Sequence, residues 1–214
     1  MRRRARGAKP SRKRRRRRQE RTRVLIVCEG RETERNYFDQ LKREDIVAER
    51  FTVTVKKGSG GTREQIAGNA VDRKGDSPDE YDEVWCVMDI EDSSHRGSLI
   101  KALKRLRENE IEACLSNPSF EVWYLAHFER TAKAFSGCNA VVLALNTHWK
   151  KQFNREYDKS DKSNYRRISN WTSKAIEHAQ WVRETHHTES TETCDCNSST
   201  EVYRLVRRLT TGEE

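Results

Sequence analysis

The sequence predicts an α/β protein, with a four-stranded, mainly parallel sheet, helices on both faces and a helical C-terminal part. Three observations lead there. Val24 to Cys28 and Val84 to Met88 are short continuous apolar runs, the pattern of strands buried on both faces. Helical periodicities separate these runs from two further strand-like stretches, giving the order β-α-β-α-β-α-β. Each apolar run also stops on acid, Glu29 after the first and Asp89, Glu91 and Asp92 after the second. Acids at the carboxyl ends of parallel strands lie where open α/β folds place their ligands.

The elements follow in order. Arg23 to Gly30 is the first strand, and Gly30 permits a sharp turn into a helix over Glu32 to Arg43, with Tyr37, Phe38 and Leu41 on one side. Phe51 to Val55 alternates like a strand, and Thr62-Arg-Glu-Gln65 fits a capping box that opens the next helix. Between them, Lys57-Gly-Ser-Gly-Gly61 is either a flexible connection or a glycine turn that brings backbone N–H groups to a phosphate. It lacks the lysine and Ser/Thr of an NTP-binding P-loop, so Lys57 stands only as a candidate phosphate contact. After the central strand, Ser93 to Gly97 is a polar loop close to that strand's acids, and its His95 reads either as a ligand or proton carrier or, as a lone loop histidine more often is, as neither. Leu99, Leu103 and Leu106 form a helical core stripe, and Glu110 to Leu115 is the fourth strand. Right-handed crossovers then set helices on both faces. At Ser116 to Phe128, Asn117 is placed to cap and Pro118 to open a helix, on which Phe120, Trp123, Tyr124, His127 and Phe128 share one stripe. That stripe, His127 included, reads as core. Glu121 lies off it, as a surface acid favoured by the helix dipole or as another carboxylate of the site.

The chemistry of the central strand's end comes from its acids. Unpaired carboxylates beside a core are costly or shift their pKa. A Mg²⁺ ion removes the difficulty, since it takes hard oxygen ligands from one or two carboxylates and leaves positions for phosphate oxygens. The bland reading is a solvated acidic loop.

Charge divides the chain. Residues 1–23 hold fourteen Lys and Arg against one acid, Glu20, whereas the remainder holds 29 basic and 33 acidic residues. The net charge of +9 therefore belongs to the N-terminal tail. The run Arg14, Arg15, Arg16, Arg17, Arg18 cannot bury itself and is expected to be disordered alone. It suits nucleic-acid phosphates, with salt-dependent and sequence-blind affinity; a solubility tail or a contact with an acidic protein is the alternative. No apolar stretch approaches membrane-spanning length and no hydrophobic run follows the arginines. Cys28, Cys86 and Cys114 fall inside strands, which reads as a reduced, cytoplasmic protein without a membrane partner. The expected organisation is a basic tail over residues 1–22, an α/β core over 23–135 and a mostly helical elaboration over 136–214.

Four stretches carry a family likeness: Val24-Leu-Ile-Val-Cys-Glu-Gly30 with Glu32-Thr-Glu34, Trp85-Cys-Val-Met-Asp89, Asn117-Pro-Ser-Phe-Glu-Val-Trp123, and Asn197-Ser-Ser-Thr-Glu-Val-Tyr-Arg-Leu-Val206. Their order and spacing resemble the RloB family, which is associated with bacterial phage defence and built on a Toprim-like, Rossmannoid domain. The resemblance implies a glutamate after the first strand, here Glu29, as proton carrier or metal ligand. It also implies an Asp-x-Asp pair, here Asp89 and Glu91, with glutamate in the second place and Asp92 beside it. Toprim-like domains cut or rejoin nucleic-acid backbones, and RloB proteins are often encoded with an AAA-type ATPase, which the resemblance implies as a partner.

The expected activity is hydrolysis of DNA or structured RNA such as tRNA, with Mg²⁺ or Mn²⁺ held by Asp89 and Glu91 or Asp92, with or without Glu29. Glu29 or Glu121 would move the proton. The alternatives are a non-catalytic nucleic-acid adaptor and a nucleotide-binding sensor of the same fold. Toward the C-terminus, Val141 to Lys150 and Trp171 to Val182 have helical patterns, and Asn197 to Leu209 reads as a capped terminal helix. The basic and aromatic stretch from Lys150 to Arg167 reads either as a strand-tracking surface with base stacking or as a solvated helical lobe. His186, His187, Cys194 and Cys196 fit no familiar zinc spacing.

Overall fold

The computed structural model describes residues 20–30, 32–58, 61–90, 96–187 and 196–213. Arg14 to Arg18, Glu91, Asp92, His95 and Cys194 lie outside the described residues. The sheet contains β1 (Thr22–Cys28), β2 (Phe51–Lys57), β3 (Glu83–Asp89), β4 (Glu112–Asn117) and the short β5 (Ser199–Thr200), in the order β2-β1-β3-β4-β5. The first four are parallel and β5 is antiparallel to β4.

The continuous apolar runs do what double-sided burial requires. Val24, Ile26 and Cys28 enter one core while Leu25 and Val27 enter the other, and all five have no exposed surface. Each such side chain stabilises the fold by about 2 kcal/mol relative to exposure. One face is covered by α3 (Arg63–Asp76) through Ile66, Ala67 and Ala70, and by α4 (Arg96–Glu108) through Leu99, Ala102 and Leu106. Helix α3 starts on the expected box: Thr62 Oγ1 accepts from the Gln65 amide, and Gln65 Oε1 accepts from the Thr62 amide at 2.9 Å.

The other face is covered by α1 (Thr33–Leu41), the short α2 (Asp45–Ala48), α5 (Glu121–Ala126) and the C-terminal helices. The latter are α6 (Cys138–Phe153), α7 (Asn164–Ile168), α8 (Thr172–His187) and α9 (Val202–Thr211). Val202, Leu205, Val206 and Leu209 of α9 belong to the same apolar cluster as Val24 and Ile26, so the chain's end shares the core of its beginning.

Three local expectations are corrected. Asn117 is the last residue of β4, opposite Ser199, and Phe120 stands at the start of α5 without a side-chain cap. Asn197 does not cap the terminal helix, which begins at Val202. Its carboxamide clasps the Phe135 backbone instead, accepting at 2.9 Å and donating at 2.7 Å. The aromatic residues between Lys150 and Arg167 are not a stacking surface. Tyr157 and Tyr165 are buried in an edge-to-face cluster with Tyr37, Tyr124 and Trp149, because so many large rings provide the bulk of this core. The basic side chains around them are largely engaged in ion pairs, Lys150 with Glu156 and both Arg155 and Arg167 with Asp161.

Candidate functional site

The chain leaves β1 for β2 on one side and returns past β1 to pair β3 on the other. This reversal opens a crevice at the carboxyl ends of β1 and β3, the usual ligand position in an open α/β sheet. Register places Cys28 beside Val87, and the Glu29 amide donates to the Val87 carbonyl at 3.0 Å. Glu29 thus leaves β1 level with the end of β3. Its Oε2 accepts the backbone N–H of Asp89 at 2.9 Å. The two acids singled out from separate strands are joined.

Two more carboxylates enter the same space. Glu34, in the first turn of α1, folds back so that its Oε1 accepts the Gly30 N–H at 3.2 Å. A Cβ at position 30 would lie 2.0 Å from Glu34 Oε2, so a side chain there would displace the carboxylate from this seat. Burial, with the neighbouring charges of Glu121 and Glu29, raises the Glu34 carboxyl to about 7 against the opposing backbone hydrogen bonds. Asp89 is pushed well above the usual carboxylate range, by burial first and then by Glu34, Glu121 and Glu29. Its Oδ1 is buried and has no hydrogen-bond partner among the described residues. Arg63 is nearby but is occupied by the carbonyls of Asp89, at 2.8 Å, and Ile90. It fixes the backbone at the end of β3.

Glu121 is 2% exposed, which removes the surface-acid reading. Its Oε2 accepts from Ser119 Oγ at 2.7 Å and the Cys138 thiol at 3.7 Å. Its Oε1 takes Thr33 Oγ1 at 3.4 Å, the Tyr157 hydroxyl at 3.5 Å and Lys159 Nζ at 3.2 Å. Burial opposes the Lys159 charge, but the Glu121 carboxylate and Cys138 outweigh it, and the ammonium's pKa is raised. The resulting cleft holds about 420 Å³ and is lined by Glu32, Thr33, Glu34, Asp89, Glu121 and Lys159, with Gly30 and Phe120.

Other expected residues are elsewhere. Lys57 ends β2 opposite Cys28 and does not line the cleft. His127 is buried, its Nδ1 donates to the Trp123 carbonyl at 2.9 Å, and burial lowers it to about 4. Glu34 and Lys159 were not singled out as site residues by sequence reasoning. Glu34 had a readable signal, four residues after a strand-ending Glu-Gly, one helical turn back to the same spot. Lys159 had none, since it lies in an irregular connection between α6 and α7.

Chemically, the crevice gathers carboxylates from β1, α1, β3 and α5 around an unsatisfied oxygen. Among the described residues, no three His, Cys, Asp or Glu side chains are grouped as a metal cage. Among the described residues, no helix is long and apolar enough to cross a membrane. No match was found among curated proteins or solved structures. The family model for RloB-like proteins matches residues 24–209, which run from within β1 into α9 and include the acidic cleft, and the chain belongs to that family.

Proposed function

We propose that this RloB-like protein is a metal-dependent nuclease of the Toprim type. Its substrate is DNA or structured RNA such as tRNA, its setting bacterial anti-phage defence, and its partner an AAA-type ATPase. The defence setting and the ATPase rest on the family likeness. The hydrolytic reading rests on one observation above the others: Glu29 and Asp89 meet at the sheet's reversal point, and Asp89 Oδ1 is buried without a partner among the described residues. A buried carboxylate oxygen in a cluster of like charges is an expensive arrangement that a cation relieves.

The donors fit a hard divalent ion in kind, being carboxylate oxygens. Asp89 would hold it with Glu29, and Glu91 and Asp92 follow directly in sequence. Mg²⁺ keeps water and substrate oxygens for most of its shell and needs only one or two protein carboxylates. When bound, Mg²⁺ or Mn²⁺ supplies charge neutralisation at a phosphodiester and acidifies water. The chain supplies the rest. Arg63 fixes the backbone that carries Asp89. Glu34, seated on the Gly30 amide in the same cleft, is positioned to accept and return a proton. Glu121, already saturated with donors, is a weaker choice for that role than the sequence suggested.

The test is incubation of the protein, with and without a candidate AAA-type ATPase, with DNA and total RNA under Mg²⁺, Mn²⁺ or EDTA. Cleavage that requires the cation, and disappears in Asp89→Ala and Glu29→Ala while the fold persists, is expected. The adaptor reading is favoured by a single observation, the concentration of positive charge in residues 1–23. It requires binding that survives both substitutions and fails when residues 1–18 are removed.

A further inference from the structure

Glu121 receives five side-chain donors, from Ser119, Thr33, Tyr157, Cys138 and Lys159. A carboxylate so provided holds its partners in place. Of those partners, Lys159 is the exposed one, its side chain 46% exposed, while Cys138 is half-buried and the others are buried. The connection that carries it is well fixed. The Tyr157 amide donates to Asn146 Oδ1 at 2.7 Å, Asn164 Nδ2 donates to the Asp158 carbonyl at 2.7 Å, and the Ser160 amide donates to Asp158 Oδ1 at 2.9 Å. Lys159 Nζ is also 3.2 Å from Cys138 Sγ, at the start of α6.

An ammonium has three N–H donors. Glu121 and Cys138 take two, which leaves one directed to the cleft or to water. Lys159 is the one cation among the described residues that line this cleft, where Glu32, Glu34 and Asp89 contribute negative charge. A phosphodiester approaching that wall meets repulsion unless a fixed positive charge lies at the point of entry.

We propose that Lys159, anchored by Glu121, is a phosphate-binding residue of this cleft and takes a non-bridging oxygen of a phosphodiester group. The assignment rests on the nuclease reading, and it adds a contribution from the C-terminal half of the chain to a site otherwise built from the sheet edge. Cys138 is the second contact that fixes the ammonium, and Glu121 is a positioning residue.

The test has two arms, both on the full-length chain. In the first, thymidine 3′,5′-bisphosphate is titrated calorimetrically in Ca²⁺ into wild type, Lys159→Ala, Lys159→Arg, Glu121→Gln and a control, Lys162→Ala. Loss of one charge-assisted contact is expected to weaken binding by about tenfold or more in Lys159→Ala. Arginine is expected to recover most of that loss, Glu121→Gln to give a smaller deficit, and Lys162→Ala to match wild type. Thermal unfolding accompanies each protein, and Lys159→Gln, which keeps a donor toward Glu121, replaces the alanine variant if that one fails to fold. In the second arm, Mg²⁺-dependent cleavage by Lys159→Ala is expected to fall by roughly 10²–10³ in kcat/KM.

The outcomes separate the two readings. Cleavage by wild type that Lys159→Ala matches, with equal affinity for the bisphosphate, overturns the Lys159 assignment and leaves the nuclease reading standing. Lys159-dependent binding of the bisphosphate without cleavage of any nucleic acid supports the assignment and removes the nuclease reading. No binding of the bisphosphate by wild type overturns the assignment.

Discussion

Gly30 and Glu34 show how one residue's missing side chain seats another's charge. A methyl group at position 30 would lie 2.0 Å from the Glu34 carboxylate, the mobile end of its side chain, so Gly30→Ala is expected to displace that carboxylate at a cost of about 1 kcal/mol, the lower end of the overpacking range. The same substitution in a Glu34→Ala background should cost far less, and a double-mutant cycle by urea unfolding measures the difference. Glu34 also sets a pH dependence. Its carboxyl is raised from 4.5 to about 7, so between those values the folded state keeps a proton that the unfolded chain has shed. That contribution to stability is fully present below about pH 4.5 and is lost as pH rises through 7. In metal-free buffer, the melting temperature of Glu34→Gln minus that of wild type should therefore grow from pH 5 to pH 8. A constant difference would mean that Glu34 titrates normally. His127 acts in the opposite sense: lowered from 6.5 to about 4, it loses stability as pH falls through that window. Comparing variant with wild type at each pH cancels that background. The Glu-Gly signal at residues 29–30 was legible in the sequence. Its second consequence was not, because glycine was read as a turn former, whereas its missing Cβ also leaves room for the Glu34 carboxylate four residues on.

At the scale of elements, apolar runs and helix starts were legible because each depends on residues close in sequence. The capping box at Thr62 is such a case, and Thr62→Ala should lower stability by about 1 kcal/mol. Strand β5 was hidden because two residues carry no periodicity, and its pairing is set by a partner 84 positions away, Ser116 against Thr200. Asn197 was misread for the same reason. Its side chain satisfies the Phe135 backbone, 62 residues distant, and not the first turn of α9. Asn197→Ala is expected to destabilise the protein by about 1–3 kcal/mol through two unmade bonds to a part-buried peptide, whereas loss of an ordinary helix cap would sit near the lower end. Hydrogen exchange at the Phe135 amide distinguishes the two, since it accelerates only if the clasp is the interaction lost.

On the scale of the molecule, four parallel strands and helices on both faces follow from the sequence pattern, and the reversal between β1 and β3 puts the expected acids Glu29 and Asp89 together. The C-terminal residues enter differently from a separate lobe. Strand β5 extends the sheet, α9 contributes four side chains to the core behind β1, and the ring cluster joins Tyr37 of α1 to Tyr165 of α7. Removing residues 197–214 should accordingly abolish cooperative unfolding of the entire α/β part, which circular dichroism during thermal denaturation would show. A stable, cooperatively melting fragment would instead mark two independent units. Lys159 escaped sequence reading at this scale too, because a residue far along the chain reaches the acidic cleft only through the packing of α5, α6 and the connection from α6 to α7.

The central claim is that the acids at the ends of β1 and β3 hold a divalent cation, and Mn²⁺ titration of wild type and Asp89→Asn by calorimetry tests it most directly. Asparagine keeps the shape of Asp89 and removes a buried charge, so the variant should fold at least as stably as wild type without metal. The account expects saturable Mn²⁺ binding by wild type, weakened by about tenfold or more in Asp89→Asn. Equal affinity in the two proteins, or no binding by wild type, would contradict it.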